Sequence, residues 1–208
     1  MEELIKRYPI LEESKESIKK MLDLMYETYK NGGKILLCGN GGSCADCDHI
    51  AGELLKGFLS KRKMNEADTA KFKNVTDDYM NYADKLQYGI PAVSLTSHSG
   101  VLSAFANDVD PELVYAQLVW ALADEKDLLI GLSTSGNSKN VIAAMVAAKA
   151  KNIRVAGLCG KKACKMDEYA DVVVHAGEEE TYKIQELHLP IYHYLCAELE
   201  RMAFGTDC

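Results

Sequence analysis

The chain has 208 residues, 48% of them apolar and 26% charged, with only 4 Pro and 15 Gly; it is long enough to bury one sizeable core and too apolar for low-complexity disorder. Lys and Arg number 24 against 31 Asp and Glu, a net charge of −7, and no basic block offers a nucleic-acid stripe. No run of about 18 apolar residues predicts a membrane span; a polyanion partner is disfavoured, whereas a small phosphate ester needs only a local site.

Residues 11–30 carry Ile18, Met21, Leu22, Leu24, Met25 and Tyr29 near a 3.6-residue spacing, which predicts an amphipathic helix stopped by Asn31-Gly32-Gly33. Lys34–Cys38 (KILLC) reads as a short strand, followed by the turn GNGGS and a helix from Ser43 to about Phe58. Residues 59–90 are polar and weakly periodic, an excursion before the next strand at Pro91–Leu95. A hydroxyl-rich loop at 96–99 follows, then a helix over 111–123 with Pro111 in its first turn. Asp127–Leu132 (DLLIGL) is the third strand; STSGNS and a helix to Lys151 come next. Ile153–Leu158 and Asp171–His175 are two further strands, and residues 181–202 form a last helix that Pro190 could kink. Five short apolar runs separated by helices predict an α/β three-layer sandwich, a five-stranded parallel sheet with helices on both faces, in one domain over 1–208. Ligands of such sheets bind outside the carboxyl ends of the strands.

Two loops follow a strand and open a helix there. Gly39-Asn40-Gly41-Gly42-Ser43 lets the backbone approach an anion, and the N–H groups of the helix start point at it. Ser133-Thr134-Ser135-Gly136-Asn137-Ser138 adds four hydroxyls that donate to phosphate oxygens. The plainer alternative is a pair of ordinary turns in which Ser43 and Ser138 cap helices. Neither loop is GxGxxG or a P-loop, which disfavours nucleotides.

His49 and Glu53 are four residues apart and so share a helix face; alone, such a pair is commonly a surface His–Glu contact. On the last helix Gln185 and His193 lie about 80° apart around the axis, with His188 on the other flank as a packing or supporting residue. The seven cysteines (38, 44, 47, 159, 164, 196, 208) are odd in number, and no second pair joins Cys44-x-x-Cys47 in a zinc ribbon. The N-terminus, MEELIKRYPILEESKES, has no apolar signal-peptide stretch. Reduced, mostly buried thiols in a cytoplasmic protein are expected.

CGNGGS at 38–43 with His49 and Glu53, STSGNS at 133–138, and IQELH at 184–188 with His193 together resemble the sugar isomerase (SIS) family, most closely its phosphoheptose isomerase branch. The resemblance runs through almost the whole chain in order. It implies a flavodoxin-like parallel sandwich and a homotetramer with active sites shared between subunits. The implied reaction interconverts sedoheptulose 7-phosphate and D-glycero-D-manno-heptose 7-phosphate, early in the supply of heptose for lipopolysaccharide or other bacterial surface sugars. Carried over, the zinc ligands fall on His49, Glu53, Gln185 and His193. The substrate contacts fall on Asn40, Gly41, Gly42, Ser43, Glu53, Asn107, Asp108, Ser133, Thr134, Ser135, Ser138 and Gln185. Aldose–ketose isomerisation through an enediolate needs a base, an acid and stabilisation of negative charge; Glu53 is the natural base and His193 the natural acid. The chain departs from the family in the length of 59–90, a segment able to cover the pocket, and at Cys44-Ala45-Asp46-Cys47. Two other readings remain: an isomerase of another ketose or amino-sugar phosphate, and a non-catalytic SIS module that binds a phosphosugar or a protein.

Overall fold

The computed structural model describes residues 1–205; Cys208 lies outside them. Five strands, β1 (Ile35–Gly39), β2 (Ala92–Ser94), β3 (Leu128–Leu132), β4 (Arg154–Cys159) and β5 (Val172–His175), form one parallel sheet in the order β2-β1-β3-β4-β5. Every residue of β1 and β3 is buried, as expected of strands covered on both faces, where runs such as ILL and LLI satisfy two cores at once.

The helices are α1 (Glu2–Arg7), α2 (Lys15–Lys30), α3 (Gly42–Leu55), α4 (Glu66–Lys73), α5 (Tyr79–Ala83), α6 (Ser99–Asp108), α7 (Val114–Leu122), α8 (Lys139–Ala150) and α9 (Thr181–Phe204). One sheet face is covered by α1, α2, α3 and α9, which meet through Ile18, Met25, Ile50, Leu54, Ile191 and Leu195. The other is covered by α7 and α8, with α6 beside them, through Leu118, Val119, Val141 and Met145. The apolar stripes of α2 and α9 are thus largely buried inside one chain. The expected helix over 11–30 begins as a 3-10 turn at Pro9–Ser14, and α9 runs on through Pro190 as a single helix. The weakly apolar α6, with Gly100 in its first turn, carries too little periodicity to be read from sequence and falls mostly between the expected hydroxyl-rich loop at 96–99 and the expected helix over 111–123.

Residues 59–90 pack at the amino ends of the strands. Lys63 pairs with Gln87 in an isolated antiparallel bridge, Ile90 N–H donates to Leu54 O at 2.8 Å, and Tyr88 stacks on Phe204. The excursion therefore lies at the opposite end of the sheet from the loops after β1 and β3, and within one chain it does not cover them.

At the root of the excursion two charges are buried together. Arg62, at φ 43° in the left-handed region, and Glu200 of α9 are both almost wholly enclosed. Arg62 Nε donates to Glu200 Oε1 at 2.7 Å, while its Nη1 and Nη2 donate to Leu54 O at 2.6 Å and Glu53 O at 3.2 Å. Glu200 also accepts the N–H groups of Phe58, Leu59 and Ser60. Burial raises the Glu200 carboxyl, but the Phe58 and Leu59 N–H groups and the Arg62 guanidinium outweigh it and hold the group below its ordinary value. The last turn of α3, which carries Glu53, is thereby fastened to α9.

Candidate active site

The strand order reverses between β1 and β3, the position where open parallel sheets bind ligands, and the two loops flank it. Gly41 takes φ 58°, and a Cβ on Gly42 would sit 2.4 Å from Gln185 Nε2, so the turn admits the Gln185 amide only because position 42 is glycine. Asn40 and Asn140 exchange amide hydrogen bonds of 2.8 and 2.9 Å and tie the two loops together.

In the second loop Ser133 Oγ lies 2.8 Å from Ser138 Oγ and 3.5 Å from Ser135 Oγ. Asn137 N–H donates to Ser135 Oγ at 3.2 Å, bending the loop into a ring of hydroxyls. Ser138 is the N-cap of α8, yet its side chain bonds Ser133 rather than a helix N–H, and Ser43 lies inside α3. The N–H groups of Ser138, Lys139 and Asn140 find no acceptor among the described residues. Hydroxyls and unpaired N–H groups at a helix start make an anion site. The hydroxyls after β2 are engaged otherwise: Thr96 and Ser97 donate to Asp48 Oδ1 at 3.0 and 2.8 Å, and Ser94 bonds Thr96. Partial desolvation raises the Asp48 carboxyl, but the hydroxyls of Ser94, Ser97 and Thr96 outweigh it and hold this exposed group below its ordinary value.

Further along, α3 and α9 lie side by side and present His49, Glu53 and His193 together. His49 Nε2 is 3.3 Å from Glu53 Oε1, and the His49 and His193 rings are 5.1 Å apart. Phe58 covers the other side of His193 at 5.7 Å. Lys56 Nζ holds Glu53 Oε2 at 2.9 Å. Burial, then the charge of His49, depresses the His193 imidazole against the opposing pull of Glu53.

Tyr192 was not anticipated from sequence. Its hydroxyl donates to Asp46 Oδ1 at 3.2 Å and lies 2.9 Å from His49 Nδ1. With its one proton directed at Asp46, Tyr192 accepts from His49 Nδ1–H, which leaves Nε2 a lone pair aimed at a carboxylate. Two acceptors face each other there, an arrangement suited to a proton or a cation between them. Two imidazoles, a carboxylate and a carboxamide are also an acceptable donor set for Zn²⁺, so the residues fit the metal. The fit is one of donor chemistry: among the described residues no three His, Cys, Asp or Glu side chains stand in ready coordination geometry. Gln185 packs on Gly42, about 12 Å of helix rise from His193.

Within one chain the predicted residues fall into separate groups. His193 and Phe58 line a cavity of about 510 Å³ beside α1. Thr134, Ser135 and Asn137 line another of about 270 Å³. Eleven residues, about 16 Å of helix, separate Gly42 from Glu53. Asn107 and Asp108 close α6, bonded to each other at 2.8 Å, and join neither group by a hydrogen bond among the described residues. His188 is fully buried with Nε2 3.4 Å from Cys159 O, a packing residue whose imidazole burial holds at about 4.

The sequence matches the SIS domain family over residues 2–90 and again over 92–195. It is 37% identical over 191 residues to the phosphoheptose isomerase of Helicobacter pylori (strain P12), covering 92% of this chain and 86% of that protein. It is 36% identical to that of Burkholderia pseudomallei (strain K96243), over 92% and 84%. Its fold is similar to the solved phosphoheptose isomerase of Neisseria gonorrhoeae, with a TM-score of 0.73, 31% identity, and 95% and 93% of the two chains covered. With a parallel sheet of this order, an anion loop after β3 and a His–Glu–His group between α3 and α9, the chain belongs to the SIS-domain family and, within it, to the phosphoheptose isomerases.

Proposed function

We propose that the protein interconverts sedoheptulose 7-phosphate and D-glycero-D-manno-heptose 7-phosphate. The observation that carries this reading is the pairing, on one scaffold, of a hydroxyl-lined anion loop with a carboxylate and two imidazoles. The phosphate is held by Ser133, Thr134, Ser135 and Ser138 and by the N–H groups opening α8; its charge strengthens each bond. Asn40, Gly41, Gly42, Ser43 and Gln185 contact the sugar from the first loop, and Asn107 and Asp108 reach it from α6. Glu53 removes the proton from the carbon next to the carbonyl and returns it to the neighbouring carbon. His193 donates to the oxygen that gains charge, then takes back the hydroxyl proton as the second carbonyl forms. Because its pKa is depressed, the imidazole stands neutral near pH 7 and acts there as a hydrogen-bond donor.

His49, Glu53, Gln185 and His193 would hold one Zn²⁺ per chain; when bound it supplies Lewis-acid polarisation of the substrate oxygens. Tyr192 fixes the His49 tautomer that such binding requires. The anion loop and His193 line different cavities of one chain, which supports a site completed by a second chain, as in a homotetramer. Exposed Trp120, Val109 and Leu113 offer apolar contact area for it. No helix among the described residues is long and apolar enough to cross a membrane; we place the enzyme in the cytoplasm, supplying heptose for surface sugars, with no nucleic acid or membrane as partner.

Incubation with sedoheptulose 7-phosphate in deuterated water, with and without Zn²⁺, tests the proposal. Deuterium at C2 of the aldose and C1 of the ketose is the expected result. Absence of exchange with any heptose phosphate would overturn it.

A further inference from the structure

Two cysteines stand behind the anion loop and take no part in the mechanism above. Cys159 ends β4 and is fully buried; Cys164, half-buried, stands at the N-cap of the 3-10 turn at Lys165–Glu168. Their Sγ atoms are 3.7 Å apart. The four residues between them, Gly160–Ala163, share the 270 Å³ cavity with Thr134, Ser135 and Asn137.

Cys164 also touches the anion loop itself. Gly136 takes φ 64°, and a Cβ there would lie 2.1 Å from Cys164 Sγ and 3.5 Å from Cys159 Cβ, so the loop rests directly on the thiol pair. The next two residues are bonded to the loop: Lys165 N–H donates to Asn137 Oδ1 at 2.9 Å and Met166 N–H to Gly136 O at 3.2 Å. On the far side His175 Nδ1 lies 3.4 Å from Cys159 Sγ, and Asp167 receives both His175 Nε2 and Cys164 N–H. The thiols therefore sit in a packed frame that holds them in van der Waals contact.

We propose that Cys159 and Cys164 are a reversible oxidation site, closed to an intramolecular disulfide by a low-molecular-weight disulfide such as oxidised glutathione. The accessible Cys164, as thiolate, attacks one sulfur of the oxidant and expels one small thiol, leaving a mixed disulfide. Cys159 then attacks the Cys164 sulfur and expels the second. Two protein thiols are oxidised, one small disulfide is reduced to two thiols, and the two protein thiol protons end on those products. Closing the gap from 3.7 Å to about 2.05 Å draws Cys164 off Gly136. It also pulls on the bonds from Lys165 and Met166, so the oxidised protein holds phosphate less tightly. This last consequence rests on the reading of residues 133–138 as the phosphate site; the disulfide does not.

The test incubates the full-length protein with oxidised glutathione, alkylates the remaining thiols and measures intact and peptide masses. The expected product lacks two hydrogens, carries no glutathione and yields a crosslink between the peptides of Cys159 and Cys164. Cys159→Ala should arrest at a glutathione adduct on Cys164, and Cys164→Ser should give neither product. Affinity for inorganic phosphate should fall about fivefold on oxidation, the worth of one hydrogen bond, and recover with dithiothreitol. Wild type that forms only an adduct at Cys44, or at Cys164 without closure, overturns the site. A disulfide with unchanged phosphate affinity overturns its coupling to the loop. Reduced protein with no phosphate affinity instead fails the phosphate reading, and the masses alone then decide the site.

Discussion

Arg62→Met tests how the turn carrying Glu53 is held. The substitution keeps most of the side-chain volume and removes a guanidinium that donates to Glu200 at 2.7 Å, to Leu54 O at 2.6 Å and to Glu53 O at 3.2 Å. Removing one partner of a buried ion pair costs about 3–5 kcal/mol, because the other charge stays enclosed. Glu200 keeps the N–H groups of Phe58, Leu59 and Ser60 at 2.8, 2.7 and 3.2 Å, and the left-handed φ of 43° becomes no worse. Both facts favour the lower end, a loss of about 3 kcal/mol, which is a large share of the 5–15 kcal/mol typical of a folded domain. Urea unfolding at pH 7 reads the loss as a lower midpoint at unchanged slope. Glu200→Gln leaves Arg62 charged and should also destabilise, and the double variant should lose less than the sum of the two. The Glu200 carboxyl is held below its ordinary value, so its share of stability is present above about pH 4.3, the unfolded value, and fades as the pH falls through the folded one. Single variants within about 0.5 kcal/mol of wild type, or strictly additive ones, would refute a coupled latch.

Other outcomes follow from the site and the core. Glu53→Gln should lower turnover by about 10²–10⁴ while leaving sugar-phosphate affinity nearly intact; a matched loss of binding, seen by calorimetry, would make Glu53 structural. Ser135→Ala should weaken the sugar phosphate by about 1–3 kcal/mol and leave the weak binding of the unphosphorylated sugar unchanged; equal losses for both ligands would move the phosphate elsewhere. His188 is held at about 4 by burial, against about 6.5 unfolded, so the unfolded chain takes the proton first. Stability should fall by up to about 3 kcal/mol as the pH drops from 6.5 to 4. His188→Leu should remove that part of the dependence in denaturation curves, and identical pH profiles would contradict it.

The strands and the long helices were legible because their apolar runs are dense: ILL and LLI leave no alternative to a doubly covered sheet, and the α9 stripe repeats over 24 residues. The elements that escaped, α1, α4, α5 and α6, are short or polar and take their shape from contacts far off in sequence. Arg62 is the sharpest case, since nothing in KRK marks one basic residue as enclosed until Glu200, 138 positions away, is brought to it. At the site, the family resemblance pointed to His49, Glu53 and His193, which the fold does bring together. Spacing alone said nothing of Tyr192 behind His49, or of the contact that Gln185 makes with Gly42.

The bridge between Lys63 and Gln87 draws the two ends of a 25-residue span side by side. Between them α4 contributes no buried residue, and the segment's fully buried members are few. A span whose ends are already fixed adds little closure entropy when it is lengthened, about 0.6 kcal/mol per doubling. The exposed turn at 74–78 is therefore a place to graft an epitope, a fluorophore or a second domain: it hangs from the far end of the sheet, where extra mass leaves the loops after β1 and β3 untouched.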